Sequence, residues 1–307
     1  MSAPLAPRVQ ARDRAGNAEA HMLDFHIYDV FTDTPFTGNP LAIVEGADDL
    51  STAQMQTIAR QFNLSETIFI QTPDDPAHTA KVRIFFPTAE IPFAGHPTIG
   101  CALHLAESSA QVVLEEVAGL VPVTILDGTA EFTAPKIPRA QEATPDPATM
   151  AAALGLPPAD LAPTAIGHFE GGPSFLYVEL ATLDALSRCR ISEPAYTDVM
   201  RASGGTGAIY AYLPTGPNAI QGRMFDPPAG ITEDPATGSA TALLAGQLNA
   251  VGGLPATGTT AFALRQGVEM GRPSNLRLTI DTAEGEIEAV RVAGQAVKIA
   301  SGQIRIP

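Results

Sequence analysis

Basic residues are scarce in this chain. Its 307 residues include 18 Lys plus Arg against 33 Asp plus Glu, a formal net charge of −15. Lysine occurs at Lys81, Lys136 and Lys298 only, and no basic run is present. A nucleic-acid binder must neutralise phosphates with clustered cations, so nucleic acid is excluded as a partner. Cysteine is scarcer still. Cys101 and Cys189 set no disulfide framework and are expected as buried free thiols in a cytoplasmic protein. No apolar run approaches the roughly 18–20 residues that span a bilayer, so no membrane partner is expected. Residues 1–23 lack the apolar stretch of about 7–15 residues that marks a secretory signal. Arg8, Arg12 and Arg14 there are offset by Asp13 and Glu19, against a transit peptide. This segment is expected to be a disordered leader, with Met22 as an alternative start.

What is present is a globular composition, with 45% apolar and 17% charged residues. Length suggests about two domains of roughly 150 residues. Gly and Pro, 27 of each, predict many turns and short strands. One helix is well marked. Ser51 is its N-cap, Gln54 completes a capping box, and Met55, Ile58, Ala59 and Phe62 share one apolar face. Asn63 ends it. Strands are predicted at 24–31, 41–44, 65–70, 81–86, 111–117, 120–126 and 130–133, with a small-residue helix at 95–107. The proline-rich stretch 134–173, with a short helix near 147–154, is the linker candidate. Beyond it come strands at 174–180 and 207–213 and helical stretches near 182–187 and 194–203. A long small-residue helix at 237–251 is stopped by Gly252 and Gly253. Strands at 262–266, 275–281, 285–292 and 296–306 finish the chain.

An internal repeat organises these elements. Arg83, Phe85, Pro87 and Ile91 recur as Arg223, Phe225, Pro227 and Ile231, 140 residues later. Each copy runs strand, tight turn, small-residue helix start. Two similar halves follow, each mostly strands with one central helix.

Three residues carry the candidate chemistry. Glu66 shares a strand face with Ile68 and Ile70, and an apolar face disfavours the charged form of a carboxylate. Such an acid can both take and give a proton; otherwise it is a strand-end glutamate reaching solvent or pairing with an arginine. His96 stands in the turn Gly95-His96-Pro97-Thr98, where a helix start offers unpaired N–H groups and partial positive charge to an anion. It is either a donor there or a satisfied structural residue. Asp234 precedes the second such helix start, as functional group or simple cap. Metal and hydrolase motifs are missing: there is no HExxH, no GxSxG, no Walker loop and no GxGxxG after a strand. No metal and no cofactor are expected.

In order along the chain stand Asp29-Val30-Phe31 with Gly38-Asn39-Pro40, Asn63 to Thr67, Arg83 to Pro87, Gly95 to Thr98, Asp234 to Ala240, and Gln266-Gly267 with Met270 to Pro273. Together these resemble the phenazine-biosynthesis PhzF-like isomerase family, within the diaminopimelate-epimerase-like fold. The resemblance runs from about Asp24 to the C-terminus. It implies an α+β fold of two pseudo-symmetric lobes, each a β-barrel-like sheet wrapped around a central α-helix. The expected boundaries are 24–137 for the N-terminal lobe and 138–290 for the C-terminal lobe. A last strand, 291–307, is set apart, with a return to the N-terminal lobe as one reading. It also implies that Glu66 is the acid/base carboxylate, assisted by His96 and Asp234, with Ser65, Gly95, Thr98, Gly238 and Ser239 as substrate contacts. The epimerases of this fold place a cysteine at each turn; here those positions hold Ala94 and Ala236. The implied activity is a cofactor-independent isomerisation moving a proton, with a double-bond shift, on a small cyclic or unsaturated amino or carboxylic acid. The alternatives are an epimerase or racemase of a hydroxylated amino acid and a non-catalytic binding member. A homodimer is the default expectation.

Overall fold

The computed structural model describes residues 22–106 and 108–307. Residues 1–21 of the expected leader lie outside the described residues. Met22 and Leu23 do not belong to a leader: they open the first strand and pair with Arg305 and Ile304.

The chain is a mixed α/β protein dominated by sheet. The first strands are β1 (Met22–Val30), β2 (Asn39–Val44), β3 (Glu66–Gln71), β4 (Ala80–Phe85), β5 (Glu90–Ile91), β6 (Gln111–Glu116), β7 (Gly119–Leu126), β8 (Thr129–Thr133) and β9 (Arg139–Ala140). They are followed by β10 (Gly167–Glu170), β11 (Ser174–Glu179), β12 (Ile209–Gly216), β13 (Ala219–Asp226), β14 (Ile231–Asp234), β15 (Gly258–Gln266), β16 (Ser274–Ala283), β17 (Glu286–Gly294) and β18 (Ala296–Arg305). The helices are α1 (Thr52–Phe62), α2 (Gly95–Leu105), α3 (Pro147–Ala153), α4 (Leu183–Arg188), α5 (Ala195–Ala202) and α6 (Gly238–Ala250). Among the described residues, no helix is long and apolar enough to cross a membrane.

Strand pairing repeats. From β1 to β8 the pairs run β1–β2 antiparallel, β2–β3 parallel, β3–β4 and β4–β5 antiparallel, β4–β6 parallel, then β6–β7 and β7–β8 antiparallel. From β10 to β17 the same sequence of pairings occurs, in the same order and sense. The arginines of the sequence repeat hold equivalent places. Arg83 forks onto Glu90 through Nε and Nη2, and Arg223 forks onto Glu233 in the same way. Three ladders tie the copies together: β8 pairs with β17, β18 pairs antiparallel with β1, and β9 pairs antiparallel with β10.

Each copy surrounds one helix. α2 packs against β1, β2, β3, β6 and β8, and α6 against β10, β11, β16 and β17. Both helices are apolar nearly all round, which suits burial on every side. In α6 the run from Ala240 to Leu248 is buried throughout. Truncating Leu244 there to alanine removes a fully buried side chain, at a cost of about 2–5 kcal/mol. α1 differs. It buries only Met55, Ile58 and Ala59, and the predicted capping box of Ser51 and Gln54 starts it. Asn63 ends it in the left-handed conformation, φ 52°.

The stretch 134–173 is not a linker. It holds β9, α3 and β10, and Met150 of α3 and its C-cap Leu154 are fully buried in a cluster with Tyr196 and Val199 of α5. The prolines misled because proline fits the first turn of a helix, where its missing N–H costs nothing. Pro147 stands there in α3, capped by Asp146.

Candidate active site

Strand β3 presents Glu66 as its sequence alternation requires. Ile68 lies in the large core around α2, while Phe69, facing the other way, packs in the separate cluster under α1. Glu66 is buried, and its Oε2 stands 2.8 Å from His96 Nδ1. The other nitrogen, His96 Nε2, lies 3.1 Å from the backbone carbonyl of Asn39. A carbonyl only accepts, so Nε2 carries a proton. The contact between Nδ1 and Oε2 then needs a second proton, held either by the carboxyl or by an imidazolium. Glu66 and His96 therefore share one transferable proton.

Asn39 links this pair to Asp234. Its side-chain amide donates to Asp234 Oδ1 at 2.8 Å and to the carbonyl of Ala236 at 2.9 Å. Ser65 Oγ also donates to Asp234 Oδ1, at 3.1 Å, and Thr237 Oγ1 donates to Oδ2. Burial pushes the Asp234 pKa up, and the charge of Glu66 adds to this; the hydroxyl donors oppose it without cancelling it. Gln266 braces the turn, donating to the Asp234 carbonyl and to Thr237 Oγ1. On the other side Arg272 holds the loop before Asn39, donating to the carbonyls of Gly38 and Thr37 and pairing with Asp29.

Two helix N-termini meet at this network. Gly95 opens α2 and Gly238 opens α6, and neither helix has a side-chain cap. α1, α3 and α4 are capped by Ser51, Asp146 and Thr182, while α5 also starts without a side-chain cap. An uncapped start leaves N–H donors and the positive end of the helix dipole available to an anion.

A cavity of about 450 Å³ opens against these groups. Its polar side chains include Glu66, Asp234, Thr237 and Ser239; its apolar walls include Phe86, Ile91, Phe93, Phe175, Met224 and Ile231. Lys136, an exposed side chain, is the one cation among the described residues that line it. Asp226, whose carboxyl is raised by burial, lines it as well.

The structure thus brings together Glu66, Ser65, His96, Asp234, Gly95, Gly238 and Ser239. Thr98 is not among the residues lining the cavity. It is fully buried, and its hydroxyl is engaged by the Ala94 carbonyl and Glu116. The helix-start residue matching Ala94 is Thr237 rather than Ala236, since each is the N-cap. Neither is a thiol. Cys101 and Cys189 are buried and free elsewhere, and burial raises both thiols, Cys189 to about 12. Sequence reasoning missed Asn39, Gln266, Arg272 and Lys136 as working residues. The first three lie within motifs it had singled out, but their partners are remote in sequence.

A family model described as phenazine biosynthesis-like protein matches residues 28–302. The chain belongs to that family. It is 38% identical over 299 residues to an uncharacterised isomerase of Mesorhizobium japonicum, covering 92% of this chain and 99% of that one. It is 34% identical over 286 residues to a trans-2,3-dihydro-3-hydroxyanthranilate isomerase of Pseudomonas aeruginosa, covering 90% and 97%. A solved Bacillus anthracis protein of the PhzF family shares the fold, with a TM-score of 0.84 at 23% identity, covering 93% of this chain and all of that one. Family and relatives together place the chain among the isomerases.

Proposed function

We propose that this isomerase moves a proton between carbons of a small cyclic or unsaturated amino or carboxylic acid, with Glu66 as the acid and base. The observation that carries this reading is the 2.8 Å contact between Glu66 Oε2 and His96 Nδ1 beside a largely apolar cavity. With the transferable proton on His96, Glu66 is a carboxylate. It takes a proton from an acidified C–H bond, and the electron pair delocalises into the adjacent unsaturated system. The resulting carboxylic acid returns the proton to a carbon further along, and the double bond has shifted. One C–H bond breaks and one forms, with no net change in electrons, so the protein's own groups suffice.

The substrate carboxylate binds at the uncapped starts of α2 and α6, with Ser239 beside it and Lys136 adding a cation. Developing negative charge meets the same N–H donors. This local field answers the difficulty posed by a net charge of −15, which repels anions overall. The repeated strand pairing supports reading the molecule as two similar lobes, each wrapped around one helix, with the cavity between them.

The P. aeruginosa relative's named substrate, trans-2,3-dihydro-3-hydroxyanthranilate, is the first probe. In heavy water the product should gain solvent deuterium, and Glu66→Gln should lower turnover by about 10²-fold or more. A Glu66→Gln enzyme turning over at near wild-type rate defeats the assignment of Glu66. A second reading, epimerisation of a hydroxylated amino acid, draws on Asp234, which lines the same cavity with a raised pKa. It requires inversion at one carbon and loss of exchange in Asp234→Asn.

A further inference from the structure

At the opposite end of α2 from the active site, three metal-ligating side chains meet. His26 comes from β1, Glu45 directly follows β2, and His104 lies in the last turn of α2. The Nε2 atoms of His26 and His104 both turn onto one oxygen, Glu45 Oε1, at 2.6 and 2.9 Å. The three ligand atoms all lie within 4.8 Å of one another. The imidazole rings are in contact, with centroids 4.7 Å apart and planes tilted by 39°. Both histidines are mostly buried, and Glu45 is the more exposed member.

The surroundings orient these groups toward a cation. Tyr28 Oη contacts His104 Nδ1 at 3.1 Å and fixes that ring. A hydroxyl donates or accepts, so this contact survives when a metal replaces the Nε2 proton and Nδ1 carries the ring proton. The C-terminal end of α2 adds partial negative charge. Lys298, paired with Tyr28 across β18, is the opposing charge. The other nitrogen of His26 is buried without a hydrogen-bond partner among the described residues, so that ring is held by its contact with Glu45 and by packing on His104.

We propose that His26, Glu45 and His104 bind one divalent cation of the zinc class, with a further coordination position open to solvent beside Glu45. Two imidazoles and a carboxylate suit zinc, cobalt or nickel, whereas magnesium and calcium prefer all-oxygen shells. Ligand atoms about 2.1 Å from a tetrahedral ion stand roughly 3.4 Å apart, so each nitrogen must draw back from Oε1 by less than about 1 Å. The bound ion ties β1, the end of β2 and the C-terminus of α2, the helix whose first turn carries His96. No sequence motif marks the site, because positions 26, 45 and 104 come from three elements. The isomerisation uses none of them.

The test uses the full chain without an affinity tag, stripped with EDTA, dialysed, and titrated with zinc chloride against a chromophoric chelator. One zinc per chain is expected, with a higher melting temperature in zinc and no response to magnesium. Glu45→Gln and His104→Gln should each weaken binding by about tenfold or more, and His96→Gln should leave it unchanged. Because Glu45 is half exposed, Glu45→Gln decides the matter even if the histidine variant fails to fold. No stoichiometric zinc on the folded wild type, wild-type affinity in Glu45→Gln, or loss of binding in His96→Gln would each overturn the proposal.

Discussion

Gly95 and Gly238, the first residues of the two central helices, stand backbone to backbone. A Cβ on Gly238 would lie 3.1 Å from Gly95 Cα, 3.2 Å from its carbonyl carbon and 3.3 Å from the His96 nitrogen. A side chain there would require the facing backbone to give by a few tenths of an ångström. In Gly238→Ala the obstacle is backbone rather than a flexible side-chain tip, so the start of α2 must move and His96 with it. We expect a stability loss of about 1–3 kcal/mol, with turnover falling further than stability accounts for. Denaturant unfolding and turnover, measured together, check this; unchanged values for both would mean that the helix ends part freely.

Much of this arrangement was legible in the sequence. The alternation around Glu66 placed it on the α2 side of β3, and the Arg83 and Arg223 copies marked equivalent ladder positions, each salt-bridged to a glutamate. Boundaries were legible where local chemistry decides them, as at Ser51 and Asn63. The rest depended on long-range contact. Asn39 meets Asp234 and Ala236 almost 200 residues away, and nothing in its own neighbourhood announces this. Thr98 looked like part of the ligand turn, but helical geometry directs its hydroxyl back to Ala94 one turn earlier. Composition misled in the stretch 134–173, where prolines at helix starts resemble those of a linker.

Asn39 is a positioning residue. Its backbone carbonyl holds His96 and its side chain holds Asp234. Asn39→Ala keeps the first contact and removes the second, so Asp234 loses a donor that stabilised its charged form. Its pKa then rises further. The acid limb of the rate profile should move to higher pH, with turnover lowered and KM little changed. A purely structural role would lower the amount of folded enzyme and leave the profile where it was.

Lys136 stands on the cavity wall, where the proposed reaction would have it meet the substrate carboxylate. Among the described residues it forms no ion pair. Lys136→Ala should raise KM several-fold, on the scale of an exposed charge interaction, with turnover nearly unchanged. The wild-type KM should rise with added salt, because an exposed charge is screened, and the variant's should respond less. Equal salt responses would assign carboxylate binding to the helix ends alone.

Glu116 makes stability pH-dependent from beneath the same helix start. Thr98 Oγ1 lies 2.7 Å from the Ala94 carbonyl and 2.6 Å from Glu116 Oε1. The hydroxyl has one proton and the carbonyl can only accept, so the proton on the second contact belongs to Glu116. Burial raises this carboxyl to about 8, and its other oxygen has no hydrogen-bond partner. In the unfolded chain a glutamate titrates near about 4.3. Between those values the unfolded chain releases a proton that the folded protein keeps. The stabilising contribution is therefore complete below the unfolded pKa, declines as pH rises, and is gone above about 8. Glu116→Gln keeps a donor to Thr98 and cannot ionise. Relative to wild type it should gain stability steadily from pH 5 to pH 8, by an amount of order several kcal/mol over the whole window, then hold constant. Urea unfolding of both proteins at pH 5, 7 and 9 measures the difference. A gap that does not change with pH would show that Glu116 is ionised in the folded protein and that another group donates to it.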